Sequence, residues 1–530
     1  MNQITPPPKI EIIPSNAPFS EAQRSWLNGF FAGLMFDAPT PLTAEQGAVV
    51  MHGDGDDGEA PWHDQTMPIA DRMKLAEGRP LRRRMMAAMA QQDCGQCGYD
   101  CHNYSEAIAN RSETRLNLCV PGGKETARML KSLFEDIDKA PAAQPLASSA
   151  PPATPTVAAP PGRSRDNPIP AIFQSRRLLN KKGSEKETWH IDFDLSDCGL
   201  DYVVGDSIGV FARNEVGLVD QIIALLSASH TTRVNGKTLR EVLIDDVSLS
   251  PAPDSLFELI SFVTGGAYRE KARALAQGED PDGDAEVLDV MAALQKFSGV
   301  RPHPEAFVEA LEPLQPRLYS ISSSNNATPG KLSLTVDCVR YVIGKRRRLG
   351  LASTFLAERI NPGEQVKVYV QKAHGFALPQ DPRTPIIMIG PGTGIAPFRA
   401  FLHDRRATGA PGRNWLFFGH QRSDCDFFYA DELNAMKSSG LLTRLSLAWS
   451  RDSDRKFYVQ DRMREVGGEL WTWLAEGANV YVCGDAKRMA KDVERALVDI
   501  VAQYGARTTD DAVSFVAELK RKGRFQQDVY

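Results

Sequence analysis

The spacing of apolar residues changes along the chain, and each change predicts a different architecture. Ser20 and Gln23 have the spacing of a capping box and are followed by Trp26, Leu27, Phe30, Phe31 and Leu34, a helical stripe. Helical patterns recur over Arg79–Gln92 and Gly123–Phe134, so residues 18–137 read as a small helical module. Beyond residue 168 the period falls to two. Ala171–Leu179, Thr188–Leu195, Ser207–Ala212, Leu318–Ser323, Leu332–Val339 and Val366–Gln371 predict short strands with turn signals between them, which suits a small antiparallel barrel over residues 168–380. A mostly helical insert, residues 214–314, interrupts it. From Pro385 the apolar strands Ile386–Ile389, Trp415–Phe418, Leu445–Ala448 and Val480–Val482 alternate with helical stretches such as Ala396–Arg406 and Ala486–Tyr504. That alternation predicts a parallel, doubly wound α/β domain over residues 381–530.

Composition adds a linker. Residues 140–161 hold eight Ala and seven Pro among 22 positions and cannot build a core. They read as an extended spacer within residues 138–167, up to about 70 Å long at about 3.1 Å per residue, that would let the helical module swing. A chain of 530 residues exceeds one core. Its 42% hydrophobic and 24% charged content is that of ordinary globular protein. A net charge of -5 gives no reason to expect nucleic acid or an anionic membrane surface. No apolar run approaches the roughly 18 residues of a membrane span. Pro6-Pro7-Pro8 does not resemble a signal peptide, so a cytoplasmic location is expected. Eight cysteines are too few for a disulfide framework. Cys198, Cys338, Cys425 and Cys483 are scattered and read as small buried hydrophobes, whereas Cys94, Cys97, Cys101 and Cys119 fall within 26 residues.

Several short motifs carry chemistry. Gly390-Pro391-Gly392-Thr393-Gly394 joins an apolar strand to a helix. Glycines there let a diphosphate reach the backbone, and the helix start supplies free N–H groups. Ser450-Arg451 and the following Lys456-Phe457-Tyr458-Val459-Gln460 bring a guanidinium and an ammonium together, as a ribose 2′-phosphate requires. This favours NADPH over NADH; the bland alternative is a pair of solvated charges. In the strand Arg317-Leu318-Tyr319-Ser320, Arg317 can neutralise a diphosphate, Tyr319 can pack on a ring and Ser320 can hydrogen-bond a flavin edge, although an ordinary barrel strand fits the same four residues. Gly350-Leu351-Ala352-Ser353 opens a helix and offers a second phosphate-binding turn. Lys345–Arg348 reads as a solvated loop.

With Tyr481-Val482-Cys483-Gly484-Asp485 and the ending Asp528-Val529-Tyr530, these motifs make residues 168–530 resemble the ferredoxin–NADP reductase-like half of the diflavin reductases, in particular the bacterial NADPH–sulfite reductase flavoprotein subunits. The resemblance implies FAD contacts at Arg317, Leu318, Tyr319, Ser320, Thr335, Val336, Asp337, Tyr341, Gly350, Leu351, Ala352 and Ser353. It implies NADPH contacts at Gly392, Thr393, Gly394, Ser450, Arg451, Lys456, Phe457, Tyr458, Val459, Gln460 and Asp492. Tyr530 would cover the flavin ring, and Ser320, Cys483 and Asp528 would surround the hydride path.

The chain departs from that family at its start. The first 137 residues lack the βα alternation and Ser/Thr-rich loop of a flavodoxin, so no FMN domain is expected. In its place stands Cys94-x2-Cys97-x3-Cys101-x17-Cys119, followed by Pro121-Gly122-Gly123. Three close thiolates and a remote fourth suit a cubane iron–sulfur cluster, with Gly95 and Gly98 letting the chain wrap it. The segment resembles the small 4Fe-4S domain of bacterial electron-transfer subunits, though shorter by one residue between its second and third cysteines. Structural zinc and unligated thiols are the alternatives. The implied path runs from NADPH through FAD and the cluster to a sulfite reductase haemoprotein. Another one-electron acceptor (a cytochrome or a nitrite-reducing partner) and a zinc-stabilised docking subunit are the competing functions.

Overall fold

The computed structural model describes residues 60–65, 67–92, 97, 99–139, 160–373 and 375–530. The helix expected after Ser20, Cys94 with Gly95 and Gly98, and most of the Ala/Pro stretch lie outside them. Ala60–Tyr530 form one compact unit. No helix of the described residues is long and apolar enough to cross a membrane.

Among the described residues the helical module has the helices Ile69–Leu75, Leu81–Ala88, Cys101–Ala109 and Gly123–Lys139. The third starts where the Asp100 carboxylate accepts the Asn103 N–H at 2.6 Å, which puts Cys101 in its first turn. Met85, Met89, Tyr104, Ile108 and Leu130 form the core, and Cys97, Cys101 and Cys119 pack into that same cluster.

The barrel strands are β1 (Ile169–Leu178), β2 (Thr188–Asp194), β3 (Ser207–Val210), β4 (Arg317–Ser320) and β5 (Lys331–Asp337). After a hairpin of β6 (Arg340–Ile343) and β7 (Arg346–Leu349) comes β8 (Gln365–Gln371). Six of them form an antiparallel sheet in the order β4–β3–β8–β1–β2–β5. Its two edges meet: Ile321 bridges Leu334, and the Ser322 N–H bonds the Ser333 carbonyl at 2.8 Å. These contacts bring the two edge strands together into a barrel-like sheet. Phe173, Phe193, Ile208, Leu334 and Val368 fill the interior. A helical insert runs from Val216–Leu226 to Pro304–Glu309 around its own core of Leu256, Phe257, Phe297 and Phe307. The run Lys345–Arg348 is not a solvated loop. It lies in the hairpin, and Arg346 and Arg348 both pair with the buried Asp289 carboxylate of the insert. Strand alternation turns both arginines to one face, where a buried anion neutralises them.

The last domain is a parallel sheet of β9 (Ile386–Ile389), β10 (Asn414–His420), β11 (Arg444–Trp449), β12 (Asn479–Gly484) and β13 (Phe525–Val529), ordered β11–β10–β9–β12–β13. Chain direction across the sheet reverses between β9 and β12. That crevice, at the carboxyl ends of the strands, is where such sheets bind ligands. The sequence pattern did not reveal β13: Gln526, Gln527 and Asp528 break the apolar alternation, and only Phe525 and Val529 anchor it in the core.

Candidate functional site

Three chain segments converge at the crevice. β4 from the barrel ends at Ser320, β12 ends at Cys483–Gly484, and β13 runs beside it with Cys483 paired to Asp528. The Ser320 hydroxyl donates to Asp528 Oδ2 at 2.6 Å, and the Cys483 thiol approaches the same oxygen at 3.7 Å. Barrel and parallel sheet are thus tied at one carboxyl group. Burial raises the Asp528 pKa, and the Ser320 and Cys483 donors partly counter it. The Cys483 thiol is pushed well above its ordinary value, chiefly by burial and then by the Asp528 charge, and it stays a protonated donor.

A cavity of about 990 Å³ opens on this junction and runs along β4. Arg317, Leu318, Tyr319, Ser320, Thr335, Val336 and Asp337 all line it. Arg317 gives one N–H to the Gln315 carbonyl at 3.0 Å and pairs with no carboxylate among the described residues. Burial lowers its pKa, so a diphosphate is the natural counter-ion. The Thr335 hydroxyl shares a 2.7 Å bond with the Tyr429 hydroxyl across the domain seam. Gln527 Nε2, buried and without a hydrogen-bond partner, also lines this cavity. A cavity with an unneutralised guanidinium and an unused amide donor fits FAD. Gly350, Leu351, Ala352 and Ser353 stand behind its wall: Ser353 Oγ accepts the N–H of Val339, a wall residue, at 3.1 Å. Tyr341, 48% exposed on the hairpin, lines neither of the two main cavities.

A second cavity, about 570 Å³, occupies the switch point. Gly392, Thr393, Ser450, Phe457, Tyr458, Val459, Gln460 and Asp492 line it, and Gln460 Nε2 reaches Asp492 Oδ2 at 3.5 Å. Gly392 has the left-handed φ of 59° that favours glycine. Gly394 lies just behind: a Cβ there would sit 2.1 Å from the Cys483 carbonyl oxygen, so only glycine lets the loop pack on the end of β12. Arg451 and Lys456 do not line the cavity. Arg451 pairs with Glu185 of the barrel, and Lys456 is exposed. The motifs did not single out His420, at the end of β10, although it lines this cavity too. Its Nδ1 lies 3.3 Å from the fully buried Asp426 carboxylate, and its pKa is lowered, by burial above all. A lone histidine closing a strand is a weak signal in sequence. Gln527 was hidden for the reason that hid β13.

Tyr530 lines both cavities, with Thr393 and Asp337. The residue is 57% exposed and its hydroxyl bonds Thr393 Oγ1 at 2.6 Å. The terminal side chain is therefore a partition between the two spaces.

The described cysteines of the N-terminal motif share one apolar cluster with Tyr104. Cys97 Sγ donates to the Tyr99 carbonyl at 3.2 Å, and burial pushes the Cys119 thiol up. Arg72 is buried beside Cys119 and Cys101, and its Nε has no hydrogen-bond partner. A buried cation beside sulfur, with the Glu125 and Asp64 carboxylates also near it, is compatible with an anionic thiolate centre. Among the described residues, no three His, Cys, Asp or Glu side chains are gathered as a metal-holding group; Cys94 lies outside them.

Comparison with known proteins agrees with the two cavities. The FAD binding domain family matches residues 161–260 and 227–355, and the oxidoreductase NAD-binding domain family matches residues 388–495. The sulfite reductase [NADPH] flavoprotein alpha-component of Photorhabdus laumondii is 43% identical over 371 residues, and that of Klebsiella pneumoniae is 43% identical over 378 residues. Each alignment takes in 69% of this chain and 61% of the relative, so the chain spans less than two thirds of the relatives it matches. The chain carries an FAD-binding domain followed by an oxidoreductase NAD-binding domain, and over these it is similar to the sulfite reductase flavoprotein alpha-components.

Proposed function

We propose that the chain is an NADPH-dependent flavoprotein reductase delivering electrons, by way of FAD and a 4Fe-4S cluster, to a sulfite reductase haemoprotein that reduces sulfite to sulfide. The observation that carries the reading is the partition at Tyr530, where the cavity suited to FAD meets the one suited to NADPH beside Ser320, Cys483 and Asp528. FAD bound there would supply the two-electron to one-electron conversion that links a hydride donor to one-electron carriers.

In this reading Arg317 neutralises the FAD diphosphate, and Tyr319, Ser320, Thr335, Val336 and Asp337 bound its cavity. Gly350–Ser353 buttress it, with Tyr341 on the rim. Thr393, Gln460 and Asp492 orient NADPH, while Ser450, Arg451, Lys456 and Tyr458 favour its 2′-phosphate. Tyr530 must swing aside for the nicotinamide, since it lines both cavities where they share Thr393 and Asp337. Asp528 holds the Ser320 hydroxyl and the Cys483 thiol in fixed orientation and excludes water from the contact. Cys94, Cys97, Cys101 and Cys119 hold the cluster. This assignment is supported by the spacing of the four cysteines and by the buried Arg72 guanidinium beside Cys119 and Cys101. Anaerobic titration with NADPH tests the reading: flavin absorbance should bleach, with NADH much less effective, and purified protein should contain iron and acid-labile sulfide. Protein without flavin would refute it, and stoichiometric zinc with no iron would refute the cluster.

A further inference from the structure

We infer that the helical cysteine module is a wall of the flavin cavity, latched in place by Lys124 and Arg128 gripping Asp254 of the helical insert. The inference rests on the reading of that cavity as the FAD site. Besides Arg317–Ser320, the cavity is lined by Ile69, Arg72, Val120, Pro121, Gly122 and Glu125, all from the module. The wall is thin at Gly122. A Cβ there would lie 2.2 Å from Thr126 Oγ1 and 3.1 Å from Cys119 Sγ, so the backbone at Gly122 lies directly against the Cys119 sulfur. Docking therefore does two things at once: it covers the flavin cavity and sets a cysteine of the motif immediately behind its surface.

The latch lies where the module's last helix starts. Lys124 and Arg128, four residues apart, share one face of Gly123–Lys139. Arg128 meets Asp254 through two N–H groups, Nε to Oδ2 at 3.2 Å and Nη2 to Oδ1 at 3.1 Å, and Lys124 Nζ lies 3.7 Å from the same carboxylate. Lys124 also donates to the Ala252 carbonyl and lies 5.7 Å from the centre of the Phe257 ring. Gly278 completes the fit: it has a left-handed φ of 89°, and a Cβ there would press to 2.9 Å on the Arg128 guanidinium carbon. Two cations thus share one anion at a seam 30–42% exposed, where added salt competes effectively.

The test uses the full chain and follows flavin release, which needs no turnover. Asp254→Lys should speed FAD dissociation, read as the rise in free-flavin fluorescence on dilution, about three- to tenfold at low ionic strength. It should also make bound flavin more open to iodide quenching. Arg128→Asp combined with Asp254→Arg should return release toward the unaltered rate. Raising the salt concentration on the unaltered chain should mimic the single substitution without any change of sequence. Flavin that is bound but released at one rate in all of these, salt included, overturns the latch. Protein that binds no flavin in any form overturns instead the assignment of the cavity.

Discussion

The contact that most directly tests the site is the 2.6 Å bond from Ser320 to Asp528. Ser320→Ala removes the strong donor to a carboxyl group that burial already pushes toward its neutral form. The remaining donor, the Cys483 thiol at 3.7 Å, is long and weak. A hydrogen bond to a charged group contributes about 1.5–3 kcal/mol, so about 2 kcal/mol of positioning is lost, roughly 30-fold in rate. The assay is anaerobic stopped-flow reduction of the flavin by NADPH, with NADPH affinity measured separately. We expect the reduction rate to fall roughly 30-fold and the affinity to change little, because Gln460 and Asp492 line the second cavity and are untouched. Since Ser320 lowers the Asp528 pKa, its loss should also move the acid limb of the rate profile to higher pH. A lowered melting temperature with an unchanged reduction rate and pH profile would refute the reasoning and leave Ser320 a tie between domains.

Other consequences are equally direct. Arg451→Ala should raise the Michaelis constant for NADPH by roughly 30-fold, the loss of about 2 kcal/mol in a guanidinium–phosphate contact, and leave that for NADH nearly unchanged. Glu185→Gln, which frees Arg451 from its barrel partner, should lower the NADPH constant; equal effects on both nucleotides would remove Arg451 from 2′-phosphate reading. Gly394→Ala should lower the melting temperature and abolish nucleotide binding, because its Cβ meets the Cys483 carbonyl oxygen at 2.1 Å; normal binding would mean the loop can withdraw from β12. Burial pushes the Glu432 carboxylate up, but His403 and Arg399 outweigh it and hold it at about 2, against an ordinary 4.5. Its stabilisation is therefore complete above about pH 4.5 and disappears as pH falls toward 2. With the side chain 26% exposed, the difference is about 2 kcal/mol, and Glu432→Gln should flatten acid unfolding in that window, as followed by melting temperature against pH.

What the sequence disclosed depended on whether local pattern and local chemistry agreed. β9 and its glycine loop were legible because four apolar residues, a turn and a helix lie in one stretch of chain, and the sheet obeys the same period. The closure of the barrel was not. It depends on Ile321 meeting Leu334, a pairing that no local period encodes. Lys345–Arg348 was misread because its partner, Asp289, lies far away in sequence and is buried. β13 hid because its middle residues are polar: Gln527 and Asp528 line the cavity, and only Phe525 and Val529 are left to the core. Arg451 was legible as a cation near the nucleotide motif, but its pairing with Glu185 across the domain seam was not.

These misses have a common physical origin that bears on how the site is held together. Bonds at the junction repeatedly join distant segments: Ser320 to Asp528, Thr335 to Tyr429, Arg451 to Glu185 and Arg128 to Asp254 each cross from one domain to another. Ser320–Asp528 and Thr335–Tyr429 are buried or half-buried and short, so they fix the barrel on the parallel sheet and set the partition at Tyr530. Arg451–Glu185 and Arg128–Asp254 are exposed ion pairs that salt weakens. The seam at Ser320, Asp528, Thr335 and Tyr429 is therefore built to stay closed under conditions that loosen the Arg451–Glu185 edge and the cysteine module. Under the proposed function, that division would let NADPH exchange on one side and electrons leave on the other without disturbing the contact between them.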